Sequence, residues 1–162
     1  MRTNSTNLKK QYKLLLLFSL LLLLLLKSTK KVQASKPTNY VEFYKALVQK
    51  GYSDDIAKVI TSVAAWETGN FKSRLYNEAN NCFGMHRPKT WVSTSVDVTS
   101  NGYAVYNNFL DSVTDFVRWC DRFILGVHKD PAAQVEAMKQ NGYFTAPLQD
   151  YKKGVLFYYN KL

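Results

Sequence analysis

Cysteine and histidine are scarce in this chain, with two of each in 162 residues: Cys82, Cys120, His86 and His128. Cys82 and His86 alone leave a zinc ion short of ligands, so no metal centre is expected, and no cofactor either. A Cys–His nucleophile lacks a recognisable third group to orient it. The even cysteine pair leaves a disulfide open. Yet Cys82 falls in an expected loop and Cys120 on the apolar face of an expected helix, where a free thiol behaves as a small hydrophobe. Acidic residues are absent from residues 1–34, which hold seven basic ones (Arg2, Lys9, Lys10, Lys13, Lys27, Lys30, Lys31). Beyond residue 34 there are 15 basic against 12 acidic side chains, so most of the net charge of +10 belongs to the N-terminal segment. No basic run interleaved with aromatics remains, which argues against nucleic acid as a partner. Internal repeats are missing too. Hydrophobic content of 46% with 14% aromatic is enough for one domain with a real core.

One low-complexity stretch is present, residues 14–26, leucine throughout except Phe18 and Ser19. As a helix it spans roughly 20 Å, short of the roughly 30 Å hydrocarbon core of a bilayer. With a basic start before it and Val32-Gln33-Ala34 after it, residues 1–34 read as a signal peptide. Lys27, Lys30 and Lys31 would also suit an uncleaved signal anchor, with membrane attachment through residues 14–26. Either way, residues 35–162 are expected to work outside the cytoplasm, secreted or held at the outer face of the membrane.

The folded part opens with Asn39 and Glu42, a helix-start pair, followed by the apolar stripe Tyr40, Phe43, Tyr44, Leu47 and Val48 and a stop at Gly51. Ser53 then starts a second helix, antiparallel to the first across a tight turn. Ile56, Val59, Ile60 and Val63 mark its buried face, and Glu67 lies on that face just before Gly69. A carboxylate at an apolar position is either a structural acid with a partner or a group whose pKa burial raises. The second kind is what a general acid needs for breaking a glycosidic C–O bond.

Between residues 70 and 90 periodicity disappears and asparagines gather, which reads as a long functional loop carrying Glu78, a second acid best read as solvated. Alternation follows through Val96, Val98, Tyr103 and Val105, with Asn101-Gly102 between. A two-residue Asn-Gly turn predicts a β-hairpin in which Asp97 faces Tyr106 on the side opposite the valines. Asn107 or Asn108 then caps an amphipathic helix with Phe109, Leu110, Val113, Phe116, Val117, Cys120, Phe123 and Ile124 in one stripe. Another helix starts at Asp130-Pro131 and closes at Asn141-Gly142, and residues 151–159 make a last helical segment.

Four segments in this order, Ala64-Ala65-Trp66-Glu67-Thr68-Gly69, Asn80-Asn81-Cys82-Phe83-Gly84-Met85, Tyr103-Ala104-Val105-Tyr106 running into Asp111-Ser112, and Asn141-Gly142-Tyr143, carry a family likeness. The chain resembles the bacterial endo-β-N-acetylglucosaminidases of autolysins and flagellar peptidoglycan hydrolases, glycoside hydrolase family 73, over roughly residues 40–160. The resemblance implies an α+β, mainly α, lysozyme-like helical domain with a small β-hairpin lobe. It implies hydrolysis of the β-1,4 bond after N-acetylglucosamine in peptidoglycan glycan strands by a monomer without cofactor. Glu67 matches the family's catalytic acid and Tyr106 the tyrosine of the hairpin that lines the cleft. The family's second carboxylate is usually a glutamate in the β-lobe, and here Asp97 is the only acid in the hairpin. If Asp97 does not reach, the substrate's acetamido group is the alternative nucleophile, with Tyr106 as the catalytic residue that helps to orient or stabilise it. Trp66, Phe83, Tyr103 and Tyr143 are candidates for stacking on sugar rings, and Asn81 for substrate binding. Alternatives to this reading are a catalytically impaired lysozyme-like glycan-binding or assembly module, and a muramidase or lytic transglycosylase.

Overall fold

The computed structural model describes residues 35–162, which hold six helices and one two-stranded sheet. The expected export segment, residues 1–34, lies outside the described residues. Among the described residues no helix is long and apolar enough to cross a membrane. The elements are α1 (Tyr40–Gln49), α2 (Asp54–Glu67), α3 (Arg74–Ala79), β1 (Asp97–Val98), β2 (Ala104–Val105), α4 (Phe109–Ile124), α5 (Pro131–Gln140) and α6 (Leu148–Tyr159).

Local chemistry accounts for most of the boundaries. Asn39 caps α1 by accepting from the backbone N–H groups of Val41 and Glu42. Glu42 reaches back one residue further than an ordinary capping box, to the N–H of Thr38 at 2.7 Å. Ser53 stands at the N-cap of α2 in extended conformation but makes no side-chain cap bond. Asn108, rather than Asn107, caps α4, and Asp130 caps α5 ahead of a proline in its first turn. The last helix begins at Leu148, one turn before the expected start at Tyr151.

Helix α2 is the axis of the domain. It packs against α1 on one side and α6 on another, and α5 covers α6. Residues 57 and 59–65 of α2 are buried, so this helix is covered nearly all round. Phe43 and Leu47 of α1, Val113, Phe116 and Cys120 of α4, Met138 of α5 and Val155 of α6 complete one core. Each fully buried aliphatic or phenyl side chain contributes roughly 1.5–3 kcal/mol. Cys82 and Cys120 are both free and buried in this core, and burial pushes each thiol up to about 12. The disulfide left open by the sequence is therefore not made.

Two expectations need correction. The segment 70–90 is not all loop: Ser73 accepts from the N–H of Tyr76 and starts the short helix α3, which Asn80 ends in a left-handed conformation with φ 53°. Glu78 sits exposed on it, paired with Arg74 at 2.9 Å. The hairpin register is also one residue off. Asp97 pairs with Val105 and Val98 with Ala104, because the turn holds three residues instead of two. The N–H of Gly102 donates to the carbonyl of Thr99 at 2.8 Å, and Gly102 takes φ 81°. A type I turn followed by a left-handed glycine is the usual three-residue hairpin loop. A slip of one residue reverses which side chains face together. Asp97 consequently does not oppose Tyr106.

Candidate active site

Glu67 is the last residue of α2, and its surroundings are set by how that helix stops. Thr68 follows as C-cap, and its hydroxyl donates to the carbonyl of Ala64 at 2.6 Å while accepting from the N–H of Phe71 at 2.8 Å. Gly69, Asn70 and Phe71 then run through three successive left-handed conformations, φ 58°, 59° and 63°. For the two non-glycine residues this costs roughly 1–2 kcal/mol each. It is offset by the bond from the N–H of Asn70 to the carbonyl of Ala65 at 2.7 Å and by the burial of Phe71 against Phe43. The strain ends α2 abruptly, leaving the Glu67 side chain at the mouth of the core.

That side chain lines a cleft of about 880 Å³. Its walls are the loop Phe83 to Pro88, Trp91, Tyr103 of the hairpin, Trp119 of α4, the α5–α6 connection from Gly142 to Ala146, and Trp66 and Tyr151. Among the described residues lining it, Glu67 is the one carboxylate. Burial raises the Glu67 carboxyl above the ordinary carboxylate range, and a hydrogen bond from the Tyr151 hydroxyl to Oε1, at 2.5 Å, pulls it part of the way back. Gly84 passes close on the other side, where a Cβ would stand 3.7 Å from Oε2. Gly84 takes φ 62°, and this left-handed turn, rather than space, is what calls for glycine, since 3.7 Å is an ordinary van der Waals contact.

The remaining expected site residues divide sharply. Trp66 is 41% exposed, lies with its ring against the backbone of Gly154 and meets Tyr151 edge-on, so one face is open to the cleft. Tyr103 lines the cleft stacked on His86, centroids 4.4 Å apart. Tyr143 lines it as well, anchored by a hydrogen bond from its hydroxyl to the carbonyl of Phe83 at 2.8 Å. Phe83 touches the cleft but is 2% exposed and stacks on Phe116 at 4.2 Å, which makes it chiefly core.

Asn81, Tyr106 and Asp97 are placed otherwise than expected. Asn81 is buried and serves its own loop: Nδ2 donates to the carbonyls of Met85 and Ala104, and Oδ1 accepts from the N–H groups of Phe83 and Met85. It holds the Phe83–Met85 wall of the cleft in place and does not line the cleft itself. Tyr106 is also buried, its hydroxyl donating to Asp115 Oδ2 at 3.3 Å beneath the β-lobe, so it does not line the cleft. Asp97 is exposed outside the cleft, with Oδ1 accepting from the N–H of Val98. The expected pair of Asp97 and Tyr106 is thus not formed.

Sequence reasoning missed three groups. Tyr151 is one, a tyrosine 84 residues after the acid it touches. Asp115 is another, with no exposed side-chain surface on α4. It accepts from the Ser93 hydroxyl, from the N–H of Thr94 at 3.0 Å and from Tyr106, and faces Arg118 at 3.5 Å. Those bonds fasten residues 92–95, and with them the Trp91 wall of the cleft. Third are the cleft residues Trp91, Trp119 and Phe144. Asp115 lies off the apolar stripe of α4, so its burial, like the placement of the other two groups, needed the tertiary fold.

A family model described as "Glucosaminidase: Mannosyl-glycoprotein endo-beta-N-acetylglucosaminidase" matches residues 56–162, which contain every cleft residue named above. Among solved structures, one titled "Structure of a type VI secretion system effector-immunity complex from Pseudomonas protegens" matches with a TM-score of 0.55 and 24% identity, covering 75% of this chain and 92% of that one. That likeness establishes the mainly helical, lysozyme-like α+β fold. No curated protein matches the chain.

Proposed function

The chain belongs to the glucosaminidase family and is a glycosidase of the peptidoglycan-hydrolase kind, and we propose that it cleaves the β-1,4 bond after N-acetylglucosamine in glycan strands with Glu67 as general acid. The observation that carries this is the Glu67 carboxyl itself, raised by burial and opening into an aromatic-walled cleft. A protonated carboxyl there donates its proton to the glycosidic oxygen as the C–O bond breaks, which lowers the cost of an oxocarbenium-like transition state. Trp66 and Tyr103 offer rings to the apolar faces of the sugars on either side.

With Asp97 outside the cleft, the second role passes in this reading to the substrate. The carbonyl oxygen of the 2-acetamido group attacks the anomeric carbon as the leaving sugar takes the Glu67 proton, giving a bicyclic oxazolinium. Water then adds at the anomeric carbon, losing a proton to the Glu67 carboxylate, and the ring opens to a reducing N-acetylglucosamine of retained configuration. The same reading puts the domain outside the cytoplasm, where its substrate lies, with the leucine-rich residues 14–26 directing export or holding it at the membrane.

The test is digestion of purified peptidoglycan by the full chain and by Glu67→Gln, with mass analysis of the new ends and NMR of the first-formed anomer. Reducing N-acetylglucosamine of β configuration, absent with the variant, supports the reading. N-acetylmuramic or anhydromuramic ends would make it a muramidase or lytic transglycosylase, and binding without turnover would make it a glycan-binding module.

A further inference from the structure

Next to the cleft, on the far side of Trp91, lies a second, more open hollow of about 470 Å³ lined by Trp91, Val92, Arg118, Asp121 and Arg122. Trp91 lines both spaces, so a polymer in the cleft passes its edge within reach of the hollow. The two are also joined from beneath: Tyr143 packs on Trp119, Trp119 on Phe123, and Phe123 edge-on against Trp91 at 6.0 Å. This aromatic row braces the shared wall from behind.

Charge in the hollow is mixed: Arg118 is paired with the buried Asp115 and Asp121 lines the space, which leaves Arg122 as the cation there without a carboxylate partner among the described residues. Arg118 gives Nη1 to the carbonyl of Val92 and to Asp115 Oδ1, which fixes its guanidinium at the rim. Arg122 is exposed, leans toward the ring of Phe123 and makes no ion pair or side-chain hydrogen bond among the described residues. Asp121 is the one carboxylate lining the hollow. Val92, 85% exposed, adds an apolar surface between the charges. Two guanidinium groups beside a small apolar patch suit a ligand that carries carboxylates on short alkyl side chains.

Resting on the glycosidase reading, we propose that this hollow is a subsite for the carboxylate-bearing peptide stem that branches from a glycan strand held in the cleft. A stem leaves the strand laterally at every second sugar, and an adjoining hollow past one wall of the cleft is where a branch of that kind goes. Its carboxylates pair with Arg122 and the free face of Arg118, and its methyl groups lie on Val92. The enzyme then selects peptide-bearing strands over stripped ones.

The experiment compares hydrolysis of strands carrying tetrapeptide stems with the same strands stripped by an amidase, using the full chain, Arg122→Gln and Arg122→Lys. The ratio of kcat/KM for stem-bearing over stripped strands is expected to be about fivefold in the wild type, as one solvent-exposed charge pair supplies. It collapses toward unity in Arg122→Gln through KM and recovers in part in Arg122→Lys. A wild-type ratio of unity, or a ratio unmoved by Arg122→Gln, overturns the subsite. Binding is read separately from turnover, by following the Trp91 indole N–H in NMR titrations of Glu67→Gln with a soluble disaccharide-tetrapeptide and with the bare disaccharide. If the wild type hydrolyses neither strand, the glycosidase reading fails, and tighter binding of the peptide-bearing fragment still supports the subsite whereas equal binding overturns it. Displacement of that fragment by polyglycerol phosphate at equal concentration would show a general anion site and also overturn it.

Discussion

Glu67 holds two opposing interests in one side chain. Burial favours its neutral form, and the Tyr151 hydroxyl favours its carboxylate. Since its value in the fold exceeds that of the unfolded chain, the stability it contributes is complete below the unfolded value and is lost as pH rises through the folded one. Glu67→Gln removes that loss while keeping an amide oxygen to accept from Tyr151. The variant is expected to melt higher than the wild type at about pH 8 and no higher at about pH 4, each pKa unit of difference amounting to about 1.4 kcal/mol. Calorimetry at the two pH values checks it. In the proposed reading activity follows the same titration in the same direction: the general acid works protonated, so kcat/KM falls as pH rises through the Glu67 value. Tyr151→Phe deletes a hydrogen bond to the charged form, which moves that alkaline limb to higher pH; a pH–rate profile of the two proteins measures the displacement.

At the level of elements, the cleft depends on close contacts that a single methyl group disturbs. Gly154 of α6 lies so near Trp66 that a Cβ there would stand 2.2 Å from the indole. Gly154→Ala must push the indole or the helix aside, costing roughly 1–3 kcal/mol, and a chemical denaturation curve together with Trp66 fluorescence will register both effects. Asp115 is the corresponding polar contact. Asp115→Ala leaves Ser93, the Thr94 N–H and Tyr106 without their acceptor, an expected loss of about 3 kcal/mol by denaturation, with the β-lobe loosened first in hydrogen exchange. Asp97→Ala, on the outside of the same lobe, is expected to leave kcat/KM within about twofold, because exposed changes away from a site carry little energy. Five of the six described helices were legible from sequence because caps and apolar spacing are local: Asn39, Asn108 and Asp130 all sit where such rules put them, whereas the six-residue α3 is too short to show a period. The hairpin register was not. Asn101-Gly102 announces a turn, but whether it holds two residues or three depends on Gly102 and the hydroxyl of Thr99, which accepts from the Tyr103 N–H. One residue of difference carried Asp97 out of the site.

Across the whole molecule, the chain brings together an acid from the end of α2, a tyrosine from α6, rings from the hairpin and from α4, and the connection after α5. Glu67 was readable because it breaks an apolar stripe, a contradiction visible along one helix. Trp66, Tyr103 and Tyr143 were readable as aromatic residues near recognisable turns, although nothing local separated them from Phe83, which the core absorbs. Tyr151, Trp91 and Trp119 became visible only through packing, since each reaches the cleft from an element distant in sequence. In the proposed reading, function in this domain rests on an acid marked in the sequence and on several groups that the fold delivers to it. The most direct measurement is the rate of glycan cleavage by Glu67→Gln against wild type on purified peptidoglycan, with a melting curve beside it. A fall of about 100-fold or more in a variant that remains folded is the expected result, in line with the loss of a positioned general acid. A folded Glu67→Gln that releases reducing N-acetylglucosamine as fast as the wild type would contradict the assignment.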